Sequence, residues 1–195
     1  SIDRMRRRFD EAVTNLGELE LENSLTNQEV LQVIQRGELL TRLASQVRLE
    51  AEKLGTEAGL ITIQIDSLES GVTSTLNLVL KDHLPGRKFR VTSKVLDEIS
   101  ELSYQELNTI DYLGSILKKL PLDDISVPRG YRVLARLPDL PDNLHDSIVQ
   151  KYKSLPKLLS APTEKLYEIE GIGRNRAQQL RDYFDTLLKN VGFSY

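Results

Sequence analysis

Apolar side chains recur at steps of three and four residues through the first half of the chain, which is the spacing of helices that bury one face. Residues 2–16 form one such stripe. A capping box at 26–29, Thr-Asn-Gln-Glu, precedes a second stripe over residues 30–54, whose heptad spacing predicts a long helix in a bundle, ended by Gly55. Residues 60–82 begin with strand-like alternation, but their helical spacing continues for five turns and predicts a third long helix.

Shorter helices are predicted after the third one. The Pro-Gly pair at 85–86 ends the third helix, and residues 95–102 carry the next apolar stripe. A second capping box at 103–106, Ser-Tyr-Gln-Glu, leads into a short helix through residues 110–120, which Pro121 stops. The pattern offers no strand partner, so we predict an all-α protein.

One stretch near the C-terminus combines a tight turn with positive charge. Residues 166–177 read Leu-Tyr-Glu-Ile-Glu-Gly-Ile-Gly-Arg-Asn-Arg-Ala, so that one helix runs into Gly-Ile-Gly and another begins at once. The glycines permit a tight bend and leave the backbone bare, and the first amides of a helix have no partner within it. The helix dipole adds positive potential there, which suits a phosphate. This pattern is typical of a helix-hairpin-helix motif, which binds the DNA backbone without reading bases.

The candidate DNA contacts lie in and after this turn. We expect its backbone amides to bind phosphate, polar and cationic side chains to assist, and the isoleucine between the glycines to be buried. An arginine two turns into the second helix is a weaker candidate. The predicted DNA-binding residues are Gly171, Ile172, Gly173, Arg174, Asn175, Arg176 and Arg181. The alternative is a turn that serves helix packing alone and leaves its arginines as solvated charges.

An internal repeat precedes this stretch. Residues 137–142 align with residues 169–174 at a shift of 32, and their apolar positions coincide. In the first copy, Asp139 and Pro141 replace the two glycines. Aspartate repels phosphate and proline lacks an amide proton, so we predict that the first hairpin is structural and that the second binds.

The repeat defines the predicted domain organisation. Residues 122–128 have the composition of a linker, with two acids and a proline. We therefore predict a helical spine or bundle at 1–127, followed by a tandem helix-hairpin-helix domain at 128–195. One such motif is too small to bury a core alone, which explains the pairing.

Composition limits the function further. The net charge is −3, but residues 128–195 carry 11 Lys and Arg against 8 Asp and Glu, so a weak positive excess accompanies the hairpins. We expect modest, salt-sensitive DNA affinity. The chain has no cysteine, which excludes disulfides and fits a cytoplasmic protein. No apolar run is long enough for a transmembrane helix, so no membrane partner is expected.

Four runs occur in an order that resembles one known family. They are Glu-Lys-Leu-Gly-Thr-Glu-Ala-Gly-Leu at 52–60, Pro-Arg-Gly-Tyr-Arg at 128–132, Leu-Pro-Asp-Leu-Pro at 137–141 and Glu-Ile-Glu-Gly-Ile-Gly at 168–173. Together they are similar to the DNA integrity scanning family, DisA, over essentially all 195 residues. The resemblance implies a helical spine that carries a helix-hairpin-helix domain similar to domain 2 of RuvA.

The resemblance also implies a longer parent protein. In the family, an octameric N-terminal diadenylate cyclase domain makes cyclic di-AMP from two ATP molecules with a divalent metal (Mg or Mn), and DNA junctions suppress it. The cyclase motifs Asp-Gly-Ala and Arg-His-Arg are absent here, and His83 and His145 are expected to be surface or partly packed. We therefore expect a fragment with no catalytic residues, metal or cofactor, which senses branched DNA for the missing cyclase.

Two other interpretations remain open. The heptad stripe at 30–54 favours a helical protein–protein interaction scaffold, whose affinity would depend little on salt. An enzyme is a poor alternative, because the sequence offers no set of nucleophile, base and orienting group. The arginines at 4 and 6–8 form a solvated face, a contact to a missing neighbouring domain or an additional contact to DNA.

Overall fold

A computed structural model confirms the all-α fold, and it describes residues 1–55, 58–84, 89–117 and 120–190. Eleven α-helices and no β-strand occur in these residues. None of the helices found there is long and apolar enough to span a membrane. The chain divides into two compact units, of which the first comprises Ser1–Gly17 and Thr26–Asp124 and the second Glu18–Leu25 and Ile125–Tyr195.

The first unit is built mainly from three long helices and three shorter ones. Their bounds are α1 (Ile2–Leu21), α2 (Asn27–Glu52), α3 (Ala58–His83), α4 (Phe89–Ser100), α5 (Tyr104–Asn108) and α6 (Ile110–Ile116). The capping box before α2 is present: the Glu29 carboxylate accepts from the Thr26 amide at 2.8 Å, and the Glu29 amide donates to the Thr26 hydroxyl at 3.4 Å. These bonds fix where α2 begins.

The long helices pack closely around Gly37 of α2. A Cβ at this position would lie 2.7 Å from Leu76 Cδ1 of α3 and 3.0 Å from the Phe9 ring of α1. Leu40 and Ala44 continue the buried face of α2. The predicted stripe at 30–54 is thus buried through Ala44 and again at Ala51, with Val47 half-buried between them.

The helical interpretation of residues 60–82 is confirmed, because they lie within the single helix α3. One sequence prediction differs in detail, and another falls outside the described residues. Leu54 is 67% exposed, because α2 ends at Glu52 before the stripe does. The Pro-Gly pair at 85–86 lies outside the described residues.

The predicted helix over residues 110–120 is shorter in the structure. The helix of the second capping box, α5, ends at Asn108, and α6 starts at Ile110 and ends at Ile116. Thr109 between them is extended, with φ −96° and ψ 102°, and its hydroxyl donates to the Gln105 carbonyl at 2.8 Å. A threonine that bonds its own helix in this way competes with the helical backbone bonds, which favours the break.

The second unit contains the five remaining helices: α7 (Tyr131–Ala135), α8 (Asp142–Tyr152), α9 (Leu155–Leu159), α10 (Thr163–Tyr167) and α11 (Arg174–Asn190). The sequence predicted that this part would begin at residue 128 and be continuous. In the structure it also includes residues 18–25. Within it, the Glu20 carboxylate forms a buried ion pair with Arg132, and the Ser126 amide donates to the Leu25 carbonyl at 2.7 Å.

Candidate nucleic-acid interface

The second unit contains two helical hairpins that repeat each other. α7 and α10 are both five residues long and begin 32 residues apart, as do α8 and α11. The turns use the same hydrogen bond: Leu140 donates to the Leu137 carbonyl at 3.3 Å, and Ile172 donates to the Ile169 carbonyl at 3.0 Å. The repeat predicted from apolar positions is therefore a repeat of backbone structure. We call α7–α8 the first hairpin and α10–α11 the second hairpin.

The fold itself requires a glycine at position 171. Gly171 has φ +88°, a left-handed conformation that a side chain disfavours. A Cβ there would also lie 2.9 Å from Leu144 Cδ2 on α8. Backbone conformation and packing against the first hairpin both account for this glycine without any ligand.

Gly173 is different, because nothing in the structure fills the space beside it. Its φ is not in the left-handed region, and a Cβ built on it would meet no atom within 4 Å. It directly precedes Arg174, the first residue of α11. The bare backbone at this position therefore faces open space at the positive end of a 17-residue helix.

The amides around Gly173 supply donors for an anion. In the described part of the chain, the amides of Gly171, Gly173 and Arg174 make no hydrogen bond to protein atoms. The first amides of a helix are left unpaired by its geometry, and here the adjoining residues are solvent-exposed. This is the arrangement that accepts a phosphate oxygen.

The Ile172 amide does not belong to this set, contrary to the prediction that it would bind phosphate. It already donates to the Ile169 carbonyl at 3.0 Å. The Ile172 side chain is 4% exposed, as expected for a residue that anchors the turn in the core. Ile172 therefore holds the turn and leaves the donor role to its neighbours.

Arg174 and Asn175 are exposed at the start of α11. The Arg174 guanidinium lies 5.5 Å from the centroid of the Tyr167 ring, and Tyr167 is itself 46% exposed. A cation over an aromatic face is partly oriented without losing its access to solvent. Tyr167 was not among the predicted residues. The feature of the sequence that could have indicated it is an aromatic residue at the end of α10, shortly before the turn.

The other two predicted arginines are engaged with the protein. Arg176 donates to the Gly171 carbonyl at 3.3 Å and to the Asp139 carbonyl at 3.2 Å. Arg181 donates to the Ala161 carbonyl at 2.6 Å and pairs with Asp185 at 2.9 Å, with 13% of its side chain exposed. These bonds give Arg181 a role in packing within the second unit, and its role as a DNA contact stays a prediction.

The turn of the first hairpin lacks the features of an anion site. Asp139, Pro141 and Asp142 are all exposed there, and Pro141 occupies the position that precedes α8. His145 stands where the second hairpin has Ala177, and both side chains are buried. The first hairpin thus keeps the backbone plan and places acidic side chains where the second has bare backbone and arginine.

The two histidines are more buried than predicted: His83 is 5% exposed and His145 is 8% exposed. His145 Nδ1 lies 3.8 Å from an oxygen of the exposed Asp142 carboxylate. In the part of the chain that the structure describes, no group of His, Cys, Asp and Glu side chains could hold a metal ion.

Comparison with known proteins assigns the chain to a family. The family model for the linker region of the DisA bacterial checkpoint controller matches residues 1–121. The chain belongs to the DisA family. Its relatives include the DNA integrity scanning protein DisA of Streptomyces coelicolor, 32% identical over 200 residues, and that of Acetivibrio thermocellus, 34% identical over 176 residues. The alignments cover 97% and 88% of this chain, respectively, and 53% and 49% of those DisA proteins, so the chain spans about half their length.

Proposed function

We propose that this chain binds DNA through the sugar–phosphate backbone, without sequence preference, and that the second hairpin is the contact. The observation that carries the proposal is Gly173. Its missing side chain is required by neither backbone conformation nor packing, and it lies beside unpaired amides at the start of α11. A phosphate oxygen would fill that space and accept those amides.

The expected contact is made by the amides of Gly171, Gly173 and Arg174. The Arg174 guanidinium adds a full positive charge next to them, and the Asn175 side chain adds a neutral donor. Contacts to phosphate carry no information about the base sequence, so the second hairpin would recognise the shape of the DNA backbone. We therefore propose branched DNA, whose strands diverge in fixed geometry, as the preferred ligand.

Family membership extends the proposal to regulation. DNA integrity scanning proteins match this chain over about half of their length. We propose that the chain is the DNA-sensing part of a longer diadenylate cyclase, which works in the cytoplasm and makes cyclic di-AMP elsewhere in its sequence. In this proposal, the chain itself binds no ATP or metal and performs no chemistry.

The test is a titration of a four-way DNA junction and of a linear duplex at two salt concentrations. Gly173→Asp places a carboxylate where the phosphate would sit. Because aspartate is a favourable residue before a helix, the variant should be as stable as the parent chain or slightly more so, yet lose at least about tenfold in affinity. Gly59→Asp is the matched control, because Gly59 is equally open and the added charge is the same. Equal affinity of the two variants would reject the site.

A protein-binding scaffold is the second candidate, favoured by large exposed apolar side chains in the first unit. Leu54, Leu60 and Ile63 are each about two-thirds exposed, at 67%, 67% and 66%. An apolar interface depends little on ionic strength, whereas DNA affinity falls steeply with it. Binding of the junction that does not weaken between the two salt concentrations would therefore argue against phosphate recognition.

A further inference from the structure

The side chain of Arg176 connects the turns of the two hairpins. One guanidinium nitrogen donates to the Gly171 carbonyl at 3.3 Å, and the other donates to the Asp139 carbonyl at 3.2 Å. Both acceptors are backbone atoms, so the link depends on where the chain runs and is independent of the Asp139 side chain. Only a planar fork of donors on one side chain spans two carbonyls in this way.

A second contact joins the same two turns on the apolar side. Leu144 of the first hairpin packs where a Gly171 side chain would be. Leu137, Leu140 and Leu180 line a cavity of about 240 Å³ beside Arg176, between the first turn and α11. Gly171 is therefore held from two directions, by a leucine against its Cα and by a guanidinium on its carbonyl.

We propose that Arg176 is a positioning residue of the anion site rather than a phosphate ligand, and that the first hairpin serves as the brace against which it works. The proposal rests on the proposed function of the second hairpin. When the Gly171 carbonyl is fixed by Arg176, the peptide units that follow keep the amides of Gly173 and Arg174 directed to solvent. A hairpin that has lost its own phosphate site thereby orients the site of its neighbour.

This assignment separates two arginines that the sequence presents as equivalent. Arg174 is exposed, lies over Tyr167, and directs its charge to solvent. Arg176 is two residues further along α11, and both of its terminal nitrogens donate to backbone carbonyls within the protein. Loss of Arg174 should therefore remove a direct contact to phosphate, whereas loss of Arg176 should disturb the positions of the turn amides.

The experiment compares Arg174→Gln, Arg176→Gln and Arg176→Lys in the 195-residue chain, with junction DNA titrated over a series of salt concentrations. A lost phosphate contact lowers the slope of log affinity against log salt by about 1, whereas a lost positioning residue lowers affinity at an unchanged slope. We expect Arg174→Gln to lower the slope. Arg176→Gln should lose about tenfold in affinity at the parent slope. Arg176→Lys should lose about as much, because an ammonium group keeps the charge but cannot span both carbonyls.

A measurement without DNA keeps the test independent of the proposed function. Amide resonances and exchange rates of Gly173 and Arg174 in the free chain should change in both Arg176 variants and stay at parent values in Arg174→Gln. A lowered slope in Arg176→Gln, full affinity in Arg176→Lys, or undisturbed turn amides in both Arg176 variants would each overturn the proposal. Failure of the parent chain to bind DNA would reject the proposed function alone, since the amide measurement still tests the brace.

Discussion

The two hairpins of the second unit share the length of their first helices, the 32-residue spacing and the turn hydrogen bond, but differ in what surrounds each turn. The second turn has glycine at 171 and 173 and unpaired amides, whereas the first has Asp139 and Pro141 at the equivalent positions. Apolar anchors such as Leu140 and Ile172 are kept in both. The difference teaches that the backbone structure of a hairpin depends on its buried residues, whereas the anion site that we propose for the second hairpin depends on a few exposed ones.

The two hairpins also differ in what holds their first helices. Arg132 of α7 is 8% exposed and pairs with Glu20, which is 3% exposed. The equivalent residue of α10, Glu164, is exposed. Arg132→Met should lower the free energy of unfolding by about 3–5 kcal/mol, because it removes the cation of a buried ion pair. Glu164→Met should change it by less than about 0.5 kcal/mol. Urea denaturation of both variants measures the contrast, and similar losses would contradict it.

The two glycines of the second turn provide the next comparison. Gly171→Ala should destabilise the chain by about 3 kcal/mol, since alanine is strained at positive φ and its methyl group would overlap Leu144. Gly173→Ser should change stability by less than about 0.5 kcal/mol, because the space is open and serine is favoured before a helix. Thermal denaturation followed by circular dichroism distinguishes the two. Equal losses would mean that position 173 is also constrained by the fold.

The second helix of each hairpin carries one tyrosine in its C-terminal half, Tyr152 in α8 and Tyr183 in α11, and the hydroxyls of these two differ in their hydrogen bonding. Tyr183 of α11 donates to the Val133 carbonyl at 3.3 Å. The buried hydroxyl of Tyr152 on α8 has no hydrogen-bond partner in the described part of the chain. Tyr183→Phe should therefore cost about 1 kcal/mol of unfolding free energy, and Tyr152→Phe should be neutral or slightly stabilising. A larger loss for Tyr152→Phe would show that its hydroxyl is bonded in solution.

Both tyrosines also predict a response to alkaline pH. Burial raises the pKa of Tyr183 above its usual value of 10.0, and burial together with the nearby Glu168 charge raises the pKa of Tyr152. A raised pKa means that the folded state holds the proton more tightly than the unfolded state. The associated stability is complete below pH about 10 and is lost as pH rises through the folded pKa values. The double phenylalanine variant should lose less stability than the parent above pH about 10.

The smallest expected effect concerns the acidic side chain of the first turn. Asp139→Asn removes a negative charge near Arg176 and should raise affinity for junction DNA by about twofold at low salt. Asp123→Asn, at an exposed position of the first unit, is the control for net charge. An identical rise in both variants would show that the first turn has no particular influence on the site.

Much of the fold could be predicted because local patterns and burial agree. The stripes of α2 and α3 and both capping boxes follow from residues close together in sequence. The 32-residue repeat follows from comparing two such short patterns. The break at Thr109 was not predicted, because the choice between one helix and two depends on a side-chain bond of a few tenths of a kcal/mol to about 1 kcal/mol.

The turn of the second hairpin could be predicted from the sequence, but the different roles of its individual residues could not. Gly-Ile-Gly indicates a bend with free amides, yet sequence alone gives no reason to separate Gly171 from Gly173 or Arg174 from Arg176. Those distinctions arise from contacts with Leu144 and with the Asp139 carbonyl, which lie on the other hairpin. Contacts between segments distant in sequence leave no trace in local periodicity.

The pairing of Glu20 with Arg132 has a practical consequence for dissecting the molecule. The C-terminal unit is discontinuous, because its first piece, Glu18–Leu25, lies in the chain between Ser1–Gly17 and Thr26–Asp124 of the first unit. A truncation that starts at the apparent linker would remove both the Leu25 carbonyl to which the Ser126 amide donates and the Glu20 carboxylate that pairs with the buried Arg132. The pieces of the two units alternate along the chain, so an excised C-terminal unit would need residues 18–25 supplied as a tethered or separate peptide.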